Sequence, residues 1–333
     1  MWYRGKPIGD AMKLVIQIPA WNEEEHLAAT IAALPRTVDG FDEVEVLVVD
    51  DGSDDATAEV AREAGARVVR LPVHRGLAVA FAAGLESGLE TGADVVVNTD
   101  ADGQYDPRDI PALVAPILAG QAQMVIGDRQ VETIRRFSTT KKLLQKLGSW
   151  VVRRLSRTEV EDATSGFRAI SRGAALKLHV FTRFTYTLET ILQAGEAGLK
   201  VVSVPVRTRA EEARPSRLFR SNTGYVLRSL ESIARIVVLY NPLRIFLRVG
   251  AVPVLLGLVL LARFLVFYLS GHSPGGHVQS LIVAVILIVV GVQVWVVGVV
   301  ADLIAVNRRL LEEAVERQRE GLGRNGEPPR HAL

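Results

Sequence analysis

Asn98 to Pro107 reads NTDADGQYDP and places three carboxylates, Asp100, Asp102 and Asp106, within seven residues, directly after the apolar run DVVV. Like charges so close repel, and a cation resolves the conflict. In an extended segment residues two apart share a face, so Asp100 and Asp102 can converge on one hard cation or on a metal-bound phosphate. Mg2+ and Mn2+ suit oxygen ligands of this kind. A calcium EF-hand loop is excluded, because Tyr105 stands where that loop needs glycine and Pro111 where it needs a bidentate glutamate. A capped turn is the simpler alternative for the carboxylates, and for Asp106, which precedes Pro107, it is the reading adopted.

Short β-branched runs alternate with helical or turn-rich segments up to about residue 245. LVIQIP, VEVLVVD, ARVVRLP, DVVVNTD, QMVIGD and KVVSVPV read as strands; EEHLAATIAALP, DATAEVAREAG and LAVAFAAGLESGLE read as helices. Such alternation predicts a mainly parallel α/β sheet with helices on both faces. PAWNEE, DDGSDDAT and DADGQYDP each leave a strand at its carboxyl end, where open α/β sheets bind ligands. Three polar clusters distant in sequence therefore meet in one crevice.

Composition changes after this region. VGAVPVLLGLVLLARFLVFYL, residues 249–269, has one charge, Arg263, and approaches the ~20 residues that cross a bilayer. Residues 278–306 carry only Asp302, after the short loop SGHSPGGH, so the pair is expected to form a hairpin of two membrane-spanning helices. Arg244 and Arg248 precede it, Arg308 and Arg309 follow it, and the loop has no Lys or Arg; both ends are expected in the cytoplasm. EEAVERQRE briefly extends the second helix, and the remaining tail reads as disordered. Gly257, Gly291 and Gly298 could permit close helix contacts, and a homo-oligomer is possible.

The 333-residue chain has a formal charge of +2 and no cysteine, which argues against a nucleic-acid partner and excludes disulfides and thiolate metal sites. The first residues, MWYRGKPIGDAMK, lack the apolar core of a signal peptide. Between Arg129 and Arg157 nine basic residues face one acidic, Glu132, and Leu143, Leu144, Leu147, Trp150, Val151 and Leu155 recur at helical spacing. A basic amphipathic helix over about 138–156, lying on an anionic membrane, is expected. A second helix, within 218–245, could do the same or face the core.

PAWNEE, VVDDGSDDAT, RGLAVAFAAGLESG, NTDADGQYDP and TSGFRAISR, in this order, resemble the motifs of family 2 glycosyltransferases with the GT-A fold. DADGQ and the C-terminal hairpin resemble the polyprenyl-phosphate branch, the dolichyl-phosphate mannose synthase type. The resemblance spans roughly residues 13–217 by motif, which it implies to be the catalytic domain, with 1–12 as an extension. It implies a nucleotide-diphosphate sugar donor, a polyprenyl phosphate acceptor and a divalent metal. Position by position, Pro19, Trp21, Glu23 and Asp51 match residues that cradle the nucleotide. Asp100 matches the first aspartate of the DxD motif near the donor, Asp102 and Gln104 match metal-contacting positions, and Arg129 matches a phosphate-contacting arginine. Ser216 and Arg217, in RPSRL, resemble the family's Gly-x-Ser-Lys segment, but no glycine lies two residues before Ser216.

Each position has a plainer reading. Pro19 could end a strand, Trp21 could be packing, Asp51–Gly52 a turn, and Gly76 a tight loop before a helix or a neighbour of the diphosphate. Gly166 could admit a substrate, with Phe167 in the core. Arg168 could reach a phosphate or sit in a surface ion pair. Glu189 reads as part of a solvated helix face. For a phosphate acceptor no general base is required; for a sugar hydroxyl, Asp162 would be the first candidate base. A processive polysaccharide synthase is disfavoured by the absence of Gln-x-x-Arg-Trp and by only two spans. Extension of a lipid-linked oligosaccharide and an inactive membrane scaffold stay as rivals.

Overall fold

All six β-branched runs form strands. The computed structural model describes residues 11–130, 148–150, 152–180, 186–208, 238, 242–270 and 278–325. In chain order the strands are β1 (Lys13–Ala20), β2 (Glu43–Asp50), β3 (Arg67–Arg70), β4 (Val95–Asn98), β5 (Met124–Asp128), β6 (Arg168–Ser171) and β7 (Val201–Pro205). The helices around them are α1 (Glu24–Ala33), α2 (Thr57–Glu63), α3 (Leu77–Glu90), α4 (Ile110–Leu118) and α5 (Tyr186–Glu196). The sheet order is β3-β2-β1-β4-β6-β5-β7. β1, β4 and β5 are apolar and buried along nearly their whole length, as strands covered on both faces should be, whereas β3 is an edge strand with Arg67 and Arg70 exposed. β2, β1 and β4 run parallel, so the sheet reverses its winding between β1 and β4, the point where open α/β sheets leave a crevice at the strands' carboxyl ends.

β6 is the strand that alternation did not reveal. It runs antiparallel between β4 and β5 and is buried throughout, Arg168 included. Four residues beginning with a cation carry little periodicity, and packing between two apolar strands overrides their local preference.

Chain contacts divide the molecule into two units, and Leu230–Val315 forms the second. Its two long helices are α6 (Pro242–Leu269) and α7 (Val278–Asn325). At about 1.5 Å per residue the 28 residues of α6 exceed the bilayer's hydrocarbon core of about 30 Å. In their most apolar windows only 11% and 17% of residues are buried, so these are not core helices of a water-soluble protein. Leu255 and Val266 are 61% and 64% exposed, an apolar surface that lipid would cover. Within the hairpin a Cβ on Gly291 would stand 2.7 Å from the Gly250 carbonyl oxygen, and one on Gly257 would stand 2.8 Å from that of Ala284. Gly298 likewise faces Phe246. The three glycines named from sequence are therefore used between the two helices of one chain. Trp295 Nε1 donates to the Leu247 carbonyl at 3.0 Å, adding a polar tie. α7 continues as helix to Asn325, well past the apolar stretch.

Candidate active site

The crevice is assembled by side-chain bonds between loops, which substitute for the regular ladders that end at the strands' carboxyl termini. Asn22 N–H donates to Ser53 Oγ at 3.0 Å, Asp54 N–H to Asn22 Oδ1 at 3.0 Å, and Glu23 N–H to Thr57 Oγ1 at 2.9 Å. The first and second polar clusters are thus one surface. Pro19 is the buried next-to-last residue of β1, paired with Val49. Gly52 has φ of 66°, and a Cβ there would lie 2.5 Å from the Val73 carbonyl carbon; only glycine lets the β2 and β3 loops touch.

Asp51 is where the third loop joins. Its carboxylate accepts from the backbone N–H groups of Arg75 and Gly76, both at 2.8 Å, and lies 2.9 Å from His74 Nδ1. Gly76 is the N-cap of α3, so the loop before that helix is fixed by Asp51. Trp21 is 40% exposed and stacks on His74 with centroids 4.1 Å apart. The packing reading of Trp21 therefore misses its open face, and the sequence reading missed His74.

The acidic loop lies on the other side of the switch point. Asn98 ends β4; its Nδ2 donates to the Gly166 carbonyl at 2.8 Å and to Tyr186 Oη at 3.2 Å, while its Oδ1 accepts from Gln17 Nε2 at 2.9 Å. A Cβ on Gly166 would meet Asp100 Oδ1 at 2.8 Å and Tyr186 Oη at 3.0 Å. The space that glycine leaves is taken by the aspartate and the tyrosine, which corrects the expectation that it is held for a substrate. Asp102 is exposed, and its Oδ1 accepts the Gln104 N–H at 3.0 Å. Asp106 caps the short 3-10 turn that follows, as read from sequence, by accepting from Arg108 N–H at 3.0 Å.

Asp100 keeps part of its surface open but is deeply enclosed. Desolvation, reinforced by the charge of Asp102, pushes its carboxyl up to about 7, against the opposing pull of Arg129 and Arg168. Arg129 forms a fork with Asp162, Nε to Oδ2 at 2.6 Å and Nη2 to Oδ1 at 3.0 Å, and Nη2 also donates to Thr164 Oγ1 at 2.7 Å. Burial alone would raise the Asp162 carboxyl, yet the charge and hydrogen bonds of Arg129 outweigh it and hold Asp162 below the ordinary carboxylate range. That carboxylate is a poor proton acceptor, which counts against Asp162 as a general base.

Arg168 is not at the surface, and the ion-pair reading fails. Its side chain is fully buried, with Nη1 donating to Thr190 Oγ1 at 2.7 Å and to the Thr187 carbonyl, Nη2 to the Ser165 carbonyl, and its guanidinium carbon 5.2 Å from the Tyr186 ring centroid. It acts on the crevice through its charge. Glu189, read as solvated, is 2% exposed because α5 packs that face inward. Phe167 is fully buried, as expected, and stacks on Tyr105. Ser216 and Arg217 lie outside the described residues, as does most of the expected amphipathic helix. Residues 148–150 and 152–156 of that helix are helical, with Ser149 and Val152 buried and Trp150 57% exposed.

Among the described residues no three His, Cys, Asp or Glu side chains group as a self-contained metal cage. Two neighbouring carboxylates, Asp100 enclosed and Asp102 exposed, suit instead an ion that takes its remaining oxygens from water and a phosphorylated ligand, the usual habit of Mg2+.

The doubly wound sheet, with its acidic loop after β4 and its buried arginines, is a GT-A-like architecture. Residues 15–178 match the model described as glycosyl transferase family 2, and residues 241–306 match the GtrB C-terminal hairpin. Undecaprenyl-phosphate mannosyltransferase of Micrococcus luteus is 30% identical over 218 residues, covering 62% of this chain and 88% of that protein. Polyprenol monophosphomannose synthase of Mycolicibacterium smegmatis is 30% identical over 222 residues, 63% of this chain and 82% of that one. Glucosyl-3-phosphoglycerate synthase from Mycobacterium tuberculosis, in complex with Mn2+, uridine diphosphate and phosphoglyceric acid, superposes with a TM-score of 0.51 at 25% identity, covering 67% of this chain and 78% of its own. The chain belongs to glycosyltransferase family 2 and is a glycosyltransferase.

Proposed function

We propose that the enzyme transfers a sugar from a nucleotide-diphosphate sugar to a polyprenyl phosphate, with inversion, at the cytoplasmic face of a membrane. The observation that carries this reading is the meeting of Asp100 and Asp102 with the fields of Arg129 and Arg168 at the β1/β4 switch point, in a chain that also carries an apolar hairpin. The names of the M. luteus and M. smegmatis relatives support a polyprenyl acceptor, and the Mn2+ and uridine diphosphate of the mycobacterial structure support a metal-assisted nucleotide donor.

Asp100 and Asp102, with Gln104 beside them, would hold the divalent ion, Mg2+ or Mn2+. When bound it supplies charge stabilisation to the leaving diphosphate. Pro19, Trp21, Glu23, Asp51 and Gly76 line or fix the donor's nucleotide side. Departure of the diphosphate leaves positive charge on the anomeric carbon and negative charge on the leaving group. The Arg129 guanidinium, oriented by Asp162 and Thr164, adds a preorganised positive field to the metal's. A phosphate monoester, with its second pKa near ~6, is already anionic and attacks directly; no general base is needed, and a single displacement inverts the anomeric centre. Arg244 and Arg248 in the first turns of α6, and Arg308 and Arg309 beyond the apolar stretch of α7, support cytoplasmic termini. Ser216 and Arg217 are carried forward as acceptor-side candidates on the family resemblance.

Extension of a lipid-linked sugar hydroxyl would require a base, and the commitment of Asp162 to Arg129 speaks against the first candidate. Incubating the enzyme with radiolabelled donor and either a short polyprenyl phosphate or its alcohol tests the reading. Label should enter the phosphate only, as a single product of inverted configuration. Transfer to the alcohol, or to neither, would reject it.

A further inference from the structure

The acidic loop that bears Asp100, Asp102 and Gln104 is anchored at both ends. At its start Asn98 is fixed by Gln17, Gly166 and Tyr186, and Thr30 Oγ1 donates to the Ala101 carbonyl at 2.9 Å. At its finish the partner is the chain leaving β7. Tyr105 and Thr208 form an antiparallel bridge, and Asp106 N–H donates to the Arg207 carbonyl at 3.2 Å. Arg207 then binds Asp109 three times: its backbone N–H donates to Oδ2 at 2.6 Å, its Nε to Oδ1 at 2.9 Å, and its Nη2 to the same Oδ1. Its Nε also lies 3.8 Å from Asp106 Oδ2. Both carboxylates are nearly closed to solvent, whereas the Arg207 side chain is 60% exposed. An ion pair with one exposed partner adds little to global stability, so its effect is local: it fixes the exit of the loop. Between the anchors Asp102 is exposed, Gly103 turns with φ of 67°, and Gln104 N–H donates to Asp102 Oδ1 within the loop itself. Where Asp102 and Gln104 stand relative to Asp100 is therefore set by the anchors.

We infer that Arg207 is a positioning residue for the divalent ion: by clamping Asp109 and pairing with the backbone at Asp106, it holds Asp102 and Gln104 at the spacing from Asp100 that one ion needs. It acts through the loop and not by contact with the ion. The physical cause is preorganisation. A loop already ordered before the metal arrives loses less conformational entropy on binding, and affinity rises by that difference. Without the Arg207 side chain, Arg108 still binds Asp106 and the Tyr105–Thr208 bridge needs no side chain, so the loop loosens while the fold persists. The inference rests on the reading that Asp100 and Asp102 hold the ion.

The test titrates the full chain in detergent with Mn2+ by calorimetry, and measures amide hydrogen exchange across residues 104–109 in the metal-free protein. Arg207→Gln should weaken Mn2+ binding about tenfold and speed that exchange. Arg207→Lys, which keeps a charge for Asp109 but not the fork, should fall between Arg207→Gln and the wild type, and it carries the same test if Arg207→Gln does not fold. Lys13→Met is the control. Lys13 pairs with Glu43 and Glu45 at the amino ends of β1 and β2, away from the crevice, so its loss should lower the unfolding midpoint and leave Mn2+ affinity unchanged. Wild-type affinity in both Arg207 variants, weakened binding without faster exchange, or equal weakening by Lys13→Met overturns the assignment. If the wild type binds no Mn2+, or Asp102→Asn binds it as tightly as the wild type does, the reading of the ion site fails and the assignment fails with it.

Discussion

Arg129 and Asp162 meet edge to edge, Nε to Oδ2 at 2.6 Å and Nη2 to Oδ1 at 3.0 Å, with both side chains nearly closed to solvent. A two-point fork fixes the plane of the guanidinium as well as its position. Lysine cannot reproduce it. Removing one partner of a buried pair strands the other's charge, at a cost of roughly 3–5 kcal/mol. Asp162→Ala should therefore lower the thermal unfolding midpoint markedly. Arg129→Lys should cost at least about tenfold in turnover, about 1.4 kcal/mol of transition-state stabilisation, with a smaller change in donor KM. Equal turnover by Arg129→Lys and wild type would show that the fork does not serve catalysis.

The Asp100 carboxyl, at about 7 through desolvation and the nearness of Asp102, sets a pH dependence. A metal must displace its proton, so Mn2+ affinity should rise as pH increases from 6 to 8. For folding the sign is opposite. The raised value means that the metal-free folded state holds a proton that the unfolded chain has released, so stability from this group is present below the ordinary aspartate value of 3.8 and is lost as pH climbs through about 7. Asp102→Asn removes one of the two raising influences together with a proposed ligand, so it should weaken Mn2+ binding at every pH while moving the midpoint of its pH profile to lower pH. Calorimetric titration across pH checks both statements, and a flat profile contradicts them.

Gly166 is the position where a single methyl group should damage the acidic site without touching a carboxylate. A Cβ would stand 2.8 Å from Asp100 Oδ1, so Gly166→Ala must displace that side chain or the Tyr186 hydroxyl at 3.0 Å. Weakened Mn2+ binding, by about tenfold or more, with a retained far-UV circular dichroism spectrum is the outcome anticipated. Undiminished affinity would mean that Asp100 moves at no cost.

Close packing in the hairpin predicts its own sensitivity. Gly291 faces Val254 and the Gly250 carbonyl, so Gly291→Leu should separate the helices and lose the Trp295–Leu247 hydrogen bond. Thermal unfolding in detergent should fall by several degrees, whereas Leu255→Ala, on the outward apolar surface, should change little. Similar effects of the two substitutions would argue against the packing.

The sheet was legible because most of its strands are apolar on both faces, and the hairpin because nothing else is so long and so apolar. The acidic loop was legible because three carboxylates in seven residues demand an explanation. Relationships across distant loops were not. Nothing in TSGFRAISR says that Arg168 points inward, since its solvation is replaced by Ser165, Thr187 and Thr190, two of which lie on a different element. Glu189 reads as polar and exposed until α5 is seen to press that face inward. Asp51 matches a nucleotide-contacting position by motif, yet its partners, His74, Arg75 and Gly76, come from more than twenty residues away. Periodicity registers the core; it is silent about hydrogen bonds formed after the chain closes.

The central claim is that a divalent ion held by Asp100 and Asp102 drives departure of a nucleoside diphosphate. It is tested most directly by single-turnover transfer of labelled sugar to a polyprenyl phosphate, comparing wild type with Asp100→Asn/Asp102→Asn, with added Mn2+ and with chelator. The account predicts that transfer falls by several orders of magnitude in the double variant, and that in the wild type chelation abolishes it and Mn2+ restores it. Full transfer by the double variant, or by the wild type under chelation, contradicts it.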